Sequence, residues 1–442
     1  MRPRAYVLVA AVSLAAVLVM SGALGLVPDD SPGSDAVVGA SDAAALAQAG
    51  AGDLGRTVEL LQDHLREQPQ DARSWATLGL AYVEQARVTA DPTYYPRAEG
   101  ALDQSVERQP DDNSLALAGQ AALAAARHDF AGALRLSRAA LAINPYEVGA
   151  LSVRVDALTE LGRYDAAMAA LAQADRRRPS MQVFARYSYA EELHGRTARA
   201  VVLLQRALDG ASSPADRAYL LSLLADLERR DGRLAQAGAH LREALRLDPG
   251  HVPALVSAAR LAVARGDVDS AGRRWAGVVE VAPFPGHLLE LGELYEATGR
   301  PAQAADQYRV LEATMQLLRD SGVSTDLEIA RYLADHGNAR TALAAARSAW
   351  EQAPSVWSAD ALGWALHAVG RDRQALARSR SATRLGTPDA MLWVHRGSIE
   401  AALGRDAAAA LHLRAGLGYD PGLNLWQADH ARALLRRLEG SR

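Results

Sequence analysis

This 442-residue sequence predicts an all-α solenoid, a stack of paired helices preceded by an apolar N-terminal segment. Three observations lead there: glycines at near-constant spacing, prolines interleaved between them, and apolar residues at three-and-four spacing in the stretches that separate them.

The glycines are Gly162, Gly195, Gly232, Gly266, Gly299, Gly337, Gly370 and Gly404, with intervals of 33, 37, 34, 33, 38, 33 and 34 residues. His128 takes the same place 34 residues before Gly162. Five residues after each marker stands an alanine, from Ala167 and Ala200 through Ala237, Ala271, Ala304, Ala342 and Ala375 to Ala409. Only a small side chain fits where two helices approach closely. The second series is Pro69, Pro110, Pro145, Pro179, Pro249, Pro283, Pro354 and Pro421. Proline inside a helix loses a hydrogen bond and clashes with the preceding turn, so each stands where one helix ends and the next begins. Two breaks per repeat mean two helices per unit.

The stretches between the breaks carry the helical period. In the segment around Leu234, Ala237, Leu241, Ala244 and Leu245 the apolar residues share one face, and Arg and Glu occupy the other. One pair of such helices cannot bury its apolar faces alone, so at least three must stack. Each unit is then expected to contact only its neighbours, and deleting residues 250–283 is expected to leave a folded protein.

These units resemble the tetratricopeptide repeat family, whose pattern places Trp, Leu-Gly and Tyr in the first helix and a small residue in the second, with a closing Pro. Trp75, Leu78, Gly79 and Tyr82 carry the pattern fully. Leu288, Leu291, Gly292 and Tyr295 match it, with Ala304 and Tyr308 following. Leu362 with Gly363, and Trp393 with Gly397, match in part; residues 113–147 depart from it, with Ala121 and Ala124 replacing Gly and Tyr. The resemblance implies a right-handed α-solenoid of about eleven units over 41–423. It also implies a concave face lined by the first helices, and a role in holding peptides or assembling complexes.

Three stretches break the regularity. The second unit is roughly seven residues longer than the family spacing, and the extra residues near Thr89 to Pro96 are expected to bulge as a loop. Tyr94 and Tyr95 on that loop are candidate contact residues, the alternative being that both rings fold back on a helix. The second helix of the eighth unit is expected to lengthen, because no proline ends it. Residues 424–442 form one amphipathic helix expected to cap the last apolar face.

At the N-terminus, Arg2 and Arg4 precede an uncharged run from Ala5 to Val27, closed by Asp29 and Asp30. A helix of this length could cross a bilayer core about 30 Å thick. The same run also has the layout of a signal peptide, with a possible cleavage site at Ser21-Gly22-Ala23. Residues 1–27 are thus read as a transmembrane signal anchor or a cleaved signal peptide. Either places the remainder outside the cytoplasm, single-pass or secreted. Residues 28–40, rich in Pro, Gly, Ser and Asp, read as a flexible stalk.

Composition removes several classes of function. The net charge is −4, which gives no broad basic surface for nucleic acid. There is no cysteine, so disulfides and thiolate metal sites are excluded. No phosphate loop, HExxH, GxSxG or EF-hand pattern occurs, and the 11 histidines lack ligand spacing. No cofactor and no metal are expected.

What remains is the concave face. The position after the Leu-Gly pair reads Leu80, Ala122, Asp156, Tyr189, Asp226, Arg260, Glu293, Arg331, Trp364 and Ser398. Neighbours one helical turn away add Arg186, Glu192, Arg229, Glu290, Glu296, Trp357, Asp360 and His367. A solvated face would also be charged. Against that, Tyr189, Trp357 and Trp364 are costly to leave wet, and aromatics with Arg are enriched at binding hot spots. The partner-binding candidates are therefore Asp156, Arg186, Tyr189, Asp226, Arg229, Arg260, Glu290, Glu293, Arg331, Trp357, Asp360 and Trp364. Asp226, Arg260, Glu293 and Arg331 would present alternating charges to an extended peptide, and the two tryptophans would anchor an apolar residue.

The resulting expectation is a non-catalytic protein- or peptide-binding scaffold outside the cytoplasm, accessory to assembly of an envelope or exported complex. One alternative is a chaperone for one exported client. Another is an enzyme acting on an envelope polymer with Asp226, Glu290, Glu293 or Glu296 as acid and base. Carboxylates in an apolar setting with shifted pKa would favour that enzyme, and carboxylates beside Arg would not.

Overall fold

The computed structural model describes residues 51–440 apart from position 212, and among these residues it has 22 helices and no strand. The signal or anchor segment 1–27, the stalk 28–40 and residues 41–50 lie outside the described residues.

Helix α1 (Ala51–Glu67) comes first. Ten helix pairs follow: α2 (Ala72–Thr89) with α3 (Tyr94–Arg108), α4 (Ser114–Ala126) with α5 (Phe130–Ile143), and α6 (Val148–Glu160) with α7 (Tyr164–Arg177). Next are α8 (Met181–Leu193) with α9 (Thr197–Asp209), α10 (Pro214–Arg230) with α11 (Leu234–Leu247), and α12 (Val252–Ala264) with α13 (Val268–Val281). The last four pairs are α14 (Pro285–Ala297) with α15 (Pro301–Asp320), α16 (Asp326–His336) with α17 (Ala339–Gln352), α18 (Val356–Ala368) with α19 (Asp372–Ala382), and α20 (Ala390–Ala402) with α21 (Asp406–Tyr419). Helix α22 (Leu425–Gly440) ends the array.

The periodic residues do what their spacing predicts. Gly162, Gly195, Gly232, Gly266, Gly299, Gly370 and Gly404 all have φ between 66° and 75°, and His128 at 64° takes the same left-handed turn. Gly337 does not: its φ is −150°, and Asn338 caps α17 instead by accepting from the N–H groups of Arg340 and Thr341. The eight alanines that follow the markers are at most 2 % exposed. In the first helices, a Cβ on Gly79 would lie 2.6 Å from Leu102, and one on Gly292 2.3 Å from the Tyr308 ring. The Gly of the Leu-Gly pair is thus the point at which the second helix presses on the first.

Two irregular stretches differ from one another in outcome. Helix α15 runs to 20 residues, as the missing proline implies. The extra residues of the second unit do not bulge: they extend α2 to 18 residues, and the chain turns over Ala90, whose φ is 57°. Tyr94 and Tyr95 accordingly begin α3 instead of sitting on an exposed loop. Tyr95 is 3 % exposed, and the half-buried Tyr94 stacks on Tyr82 with ring centroids 5.9 Å apart. Burial of apolar ring area outweighs exposure here, so neither is a loop contact residue.

The expectation that units touch only their neighbours is also overturned, because successive turns of the superhelix meet. Ser324 N donates to the carbonyl oxygen of Arg127, and His128 Nδ1 lies 2.7 Å from the carbonyl oxygen of Ser324, 196 positions on. Val356 N donates to the Tyr164 hydroxyl across 192 positions. The Thr387 hydroxyl donates to the carbonyl of Leu193 across 194, and Arg229 pairs with Asp420 across 191. In each case a residue at or beside the turn within one pair meets the start of a later first helix, or the loop before a later helix. Gly162 and Gly195 lie in this seam: a Cβ on either would come within 3 Å of the carbonyl oxygens of Pro354 and Gly386. The constant offset amounts to roughly five and a half units per turn.

Helix α22 covers the last unit through Ala431, Leu434, Leu435 and Leu438 against Val394 and Leu413, as a cap should. It also packs against α14, with three helix pairs between them in the chain, so it enters the concave side as well as closing the end.

Candidate binding chamber

Closing the superhelix turns the concave face into a central chamber of about 310 Å³. First helices α8, α10, α12, α14, α16, α18 and α20 line it, and the segment Asp420–Gln427 forms part of its wall. Ten of the twelve residues expected on the concave face reach it: Tyr189, Asp226, Arg229, Arg260, Glu290, Glu293, Arg331, Trp357, Asp360 and Trp364. Asp156 and Arg186 do not. They form a bidentate pair, Nε to Oδ1 and Nη2 to Oδ2 both at 2.7 Å, with side chains only 5–6 % exposed.

The charges inside are mostly spoken for by one another. Arg229, 1 % exposed, pairs with Asp226 at 2.8 Å and with Asp420; Arg230 pairs with Glu192 at 2.5 Å and Asp226 at 3.1 Å. Burial opposes the charge on Asp226, but Arg229, Arg230 and Arg260 hold its carboxyl well below the usual range. Arg260 Nη2 donates to Glu290 Oε1 at 2.7 Å. The expected row of alternating charges offered to a peptide is therefore largely neutralised within the protein.

Glu293 is different in kind. It is 4 % exposed and lies 3.1 Å from His336 Nε2, with Gln427 donating to the same oxygen at 3.2 Å. Burial pushes its carboxyl up to about 7; Asp335 and Glu290 add to the rise, and His336 opposes it. His336 moves up despite its own burial, because Glu293, Asp335 and Glu296 favour the imidazolium.

The aromatic residues also have internal partners. The Trp357 indole N–H donates to the Tyr189 hydroxyl at 3.2 Å, joining two predicted residues 168 positions apart. Trp364 donates to Asp335 Oδ1 at 2.8 Å and stacks on His395 with centroids 4.1 Å apart. His395 Nδ1 in turn lies 2.9 Å from Asp360 Oδ2. Both indole N–H groups are satisfied, while the rings still form chamber wall.

Reasoning from sequence misses Arg230, Glu328, Asp335, Asp389 and His395 on this wall, along with the C-terminal segment. Asp335 follows Arg331 by four residues on one helix face, a signal present in the sequence. Asp389 and Asp420 lie in connecting loops, and only the closure of the superhelix brings them inside.

Two family models described as tetratricopeptide repeat match the chain, one over residues 124–187 and 228–285, the other over 190–252. Over these residues the chain carries tetratricopeptide repeats. No curated protein matches this tetratricopeptide repeat chain. Solved structures similar to the array include a human IFIT1 dimer with PPP-AAAA, 15 % identical, covering 92 % of this chain and 95 % of that one at a TM-score of 0.48. A tetratricopeptide repeat protein from Parabacteroides merdae is 19 % identical over 59 % of this chain and 98 % of its own, at 0.34. Pseudomonas aeruginosa pilF is 20 % identical over 49 % and 94 %, at 0.36. At these identities and scores they transfer no ligand or activity to this chain.

Proposed function

We propose that this tetratricopeptide repeat array is a non-catalytic scaffold, exported or membrane-anchored through residues 1–27, that holds a protein or peptide at its central chamber. In this reading it serves assembly of an envelope or exported complex, either for several partners or as a chaperone for one client. Tetratricopeptide arrays are in general protein-binding scaffolds. The observation that carries the choice of site is that residues from seven successive first helices converge on one chamber. Its Arg, Tyr and Trp residues are the types enriched at interface hot spots. Among the described residues no helix is long and apolar enough to cross a membrane, so the membrane part of the proposal rests on the N-terminal sequence.

One observation favours the enzyme reading: Glu293 has the raised carboxyl that acid catalysis needs. Of the other acids expected for it, Asp226 and Glu290 are held in ion pairs with arginines, and Glu296 lies 3.7 Å from His336 Nδ1.

The test has two parts. A reporter active only outside the cytoplasm, fused after Arg442, should be active; activity of a cytoplasm-only reporter there overturns the location. A photo-crosslinking residue at Leu289, which lines the chamber, should yield a partner adduct in envelope fractions. The same residue at Val202, 63 % exposed on a second helix, should not. Adducts from Val202 alone would move the binding surface to the second helices.

A further inference from the structure

The chamber wall holds nine carboxylates and four arginines. Arg229, Arg230 and Arg260 account for Asp226, Asp420, Glu192 and Glu290. Five carboxylates remain, on Glu293, Glu328, Asp335, Asp360 and Asp389, with Arg331 as the one remaining guanidinium of the wall. Glu293 and Asp360 face His336 and His395, which supply charge only when protonated. Asp335 accepts from neutral donors, the Trp364 indole and the Gln427 amide. Asp389 accepts from the backbone N–H of Leu392. Glu328 Oε2 is buried and has no hydrogen-bond partner. Arg331, three residues along the same helix, has no carboxylate within salt-bridge distance among the described residues. Glu293 and Asp360 are buried beside imidazoles that are shifted toward the charged form, while Glu328, Asp335 and Asp389 are half-buried with no cation of their own, a cost that an incoming cation relieves.

We infer that the chamber takes a single organic cation, a guanidinium or ammonium group on an amino-acid-sized body, beside the packed helices α16 and α18, which bring Glu328, Asp335, Trp357 and Trp364 to the wall. The volume of about 310 Å³ suits one such group at the lower end of ordinary ligand pockets. Trp357 and Trp364 contribute apolar wall beside these acids, which suits the carbon body that carries the cation. The shifts agree with the geometry: burial raises the Asp389 carboxyl, and Asp360 raises it further. The cation could be a free small molecule or one side chain of a bound peptide, which share this chemistry. The inference rests on the chamber being the binding site proposed above and adds the charge of what enters.

Arg331 makes the test sharp, because a guanidinium on the same helix as Glu328 and Asp335 repels a cation and would attract an anion. The probes are the N-acetyl amides of arginine, leucine and glutamate, together with a Gly-Ser hexapeptide carrying one Arg, titrated by calorimetry into the full chain. The arginine amide should bind and the other two amides should not. Glu328→Gln should weaken it about fivefold or more, and Arg331→Gln should tighten it severalfold. Glu243→Gln, at an exposed pair with Arg246 outside the chamber, should change nothing. Tighter binding of the hexapeptide than of the amide identifies a peptide side chain as the source; the reverse identifies a free cation. Either outcome supports the inference. Binding of the glutamate amide that is lost in Arg331→Gln overturns it, as does failure of the arginine amide to bind to a chain whose helical circular dichroism is intact. If the cation test fails while Leu289 still crosslinks a partner, the scaffold reading stands and only the charge assignment falls. If the arginine amide binds but neither Leu289 nor Val202 crosslinks a partner, the charge assignment stands and the scaffold reading falls.

Discussion

The backbone N–H of Val356 donates to the hydroxyl oxygen of Tyr164 at 2.9 Å across 192 positions. Val356 is the first residue of α18, so this N–H has no partner inside its own helix, and its residue is fully buried. One turn of the superhelix thus satisfies the start of a helix in the next. Tyr164→Phe should cost about 1–3 kcal/mol, the range for leaving a buried donor unpaired. Chemical denaturation of both proteins measures it, and an unchanged midpoint would show that the seam contributes nothing there.

The same offset governs deletions. Removing residues 250–283 takes out one unit lying between the paired positions, so every contact of the seam would face the wrong partner. The shortened chain should remain helical but melt at lower temperature and digest faster than Tyr164→Phe. A deletion as stable as the parent would restore the picture of units that touch only their neighbours.

Close approach at the first-helix glycines has a direct test. Gly292→Ala would place a methyl 2.3 Å from the Tyr308 ring and should destabilise by about 1–3 kcal/mol. Gly277→Ala, on the exposed face of α13 with nothing within 4 Å, should stabilise by roughly 0.5–1 kcal/mol. Opposite signs from the same substitution separate packing from helix propensity.

Glu160 sets a pH dependence. Burial, and then Asp156, raise its carboxyl from 4.5 to about 8, while Arg331 opposes the shift. The folded state therefore keeps a proton that the unfolded chain has released. That contribution is complete below pH 4.5 and disappears as pH rises through about 8. Between pH 4.5 and pH 7 the loss is roughly 3 kcal/mol. Glu160→Gln should flatten stability over this interval, as read from denaturation midpoints. Parallel curves for the two proteins would place the pH dependence elsewhere.

Truncation before Asn424 removes both roles of the last helix. The apolar face of α21 is uncovered, which lowers solubility, and Glu293 and Asp335 lose the Gln427 amide. Hydrogen exchange should accelerate in α14 and α16 as well as in α20 and α21. Acceleration confined to the last pair would mean that α22 is only a cap.

The sequence by itself determined the helix pairs, their turns and the residues of the concave face, because these depend on local chemistry. A left-handed turn selects glycine, a helix break selects proline, and an apolar face follows the 3.6-residue period. Tyr189, Arg260, Glu293 and Arg331 were legible as lining for the same reason, being one position repeated along a ladder. Tyr94 and Tyr95 were misplaced because extra length can extend a helix as readily as open a loop, and only packing against Tyr82 and its neighbours chooses. The tertiary structure alone decided that the ladder closes on itself. The rotation between units is small and accumulates over the whole array, so contacts such as Tyr164 with Val356 and Arg229 with Asp420 leave no local pattern. Those contacts turn an open groove into a chamber and pair its arginines other than Arg331 with carboxylates of the wall.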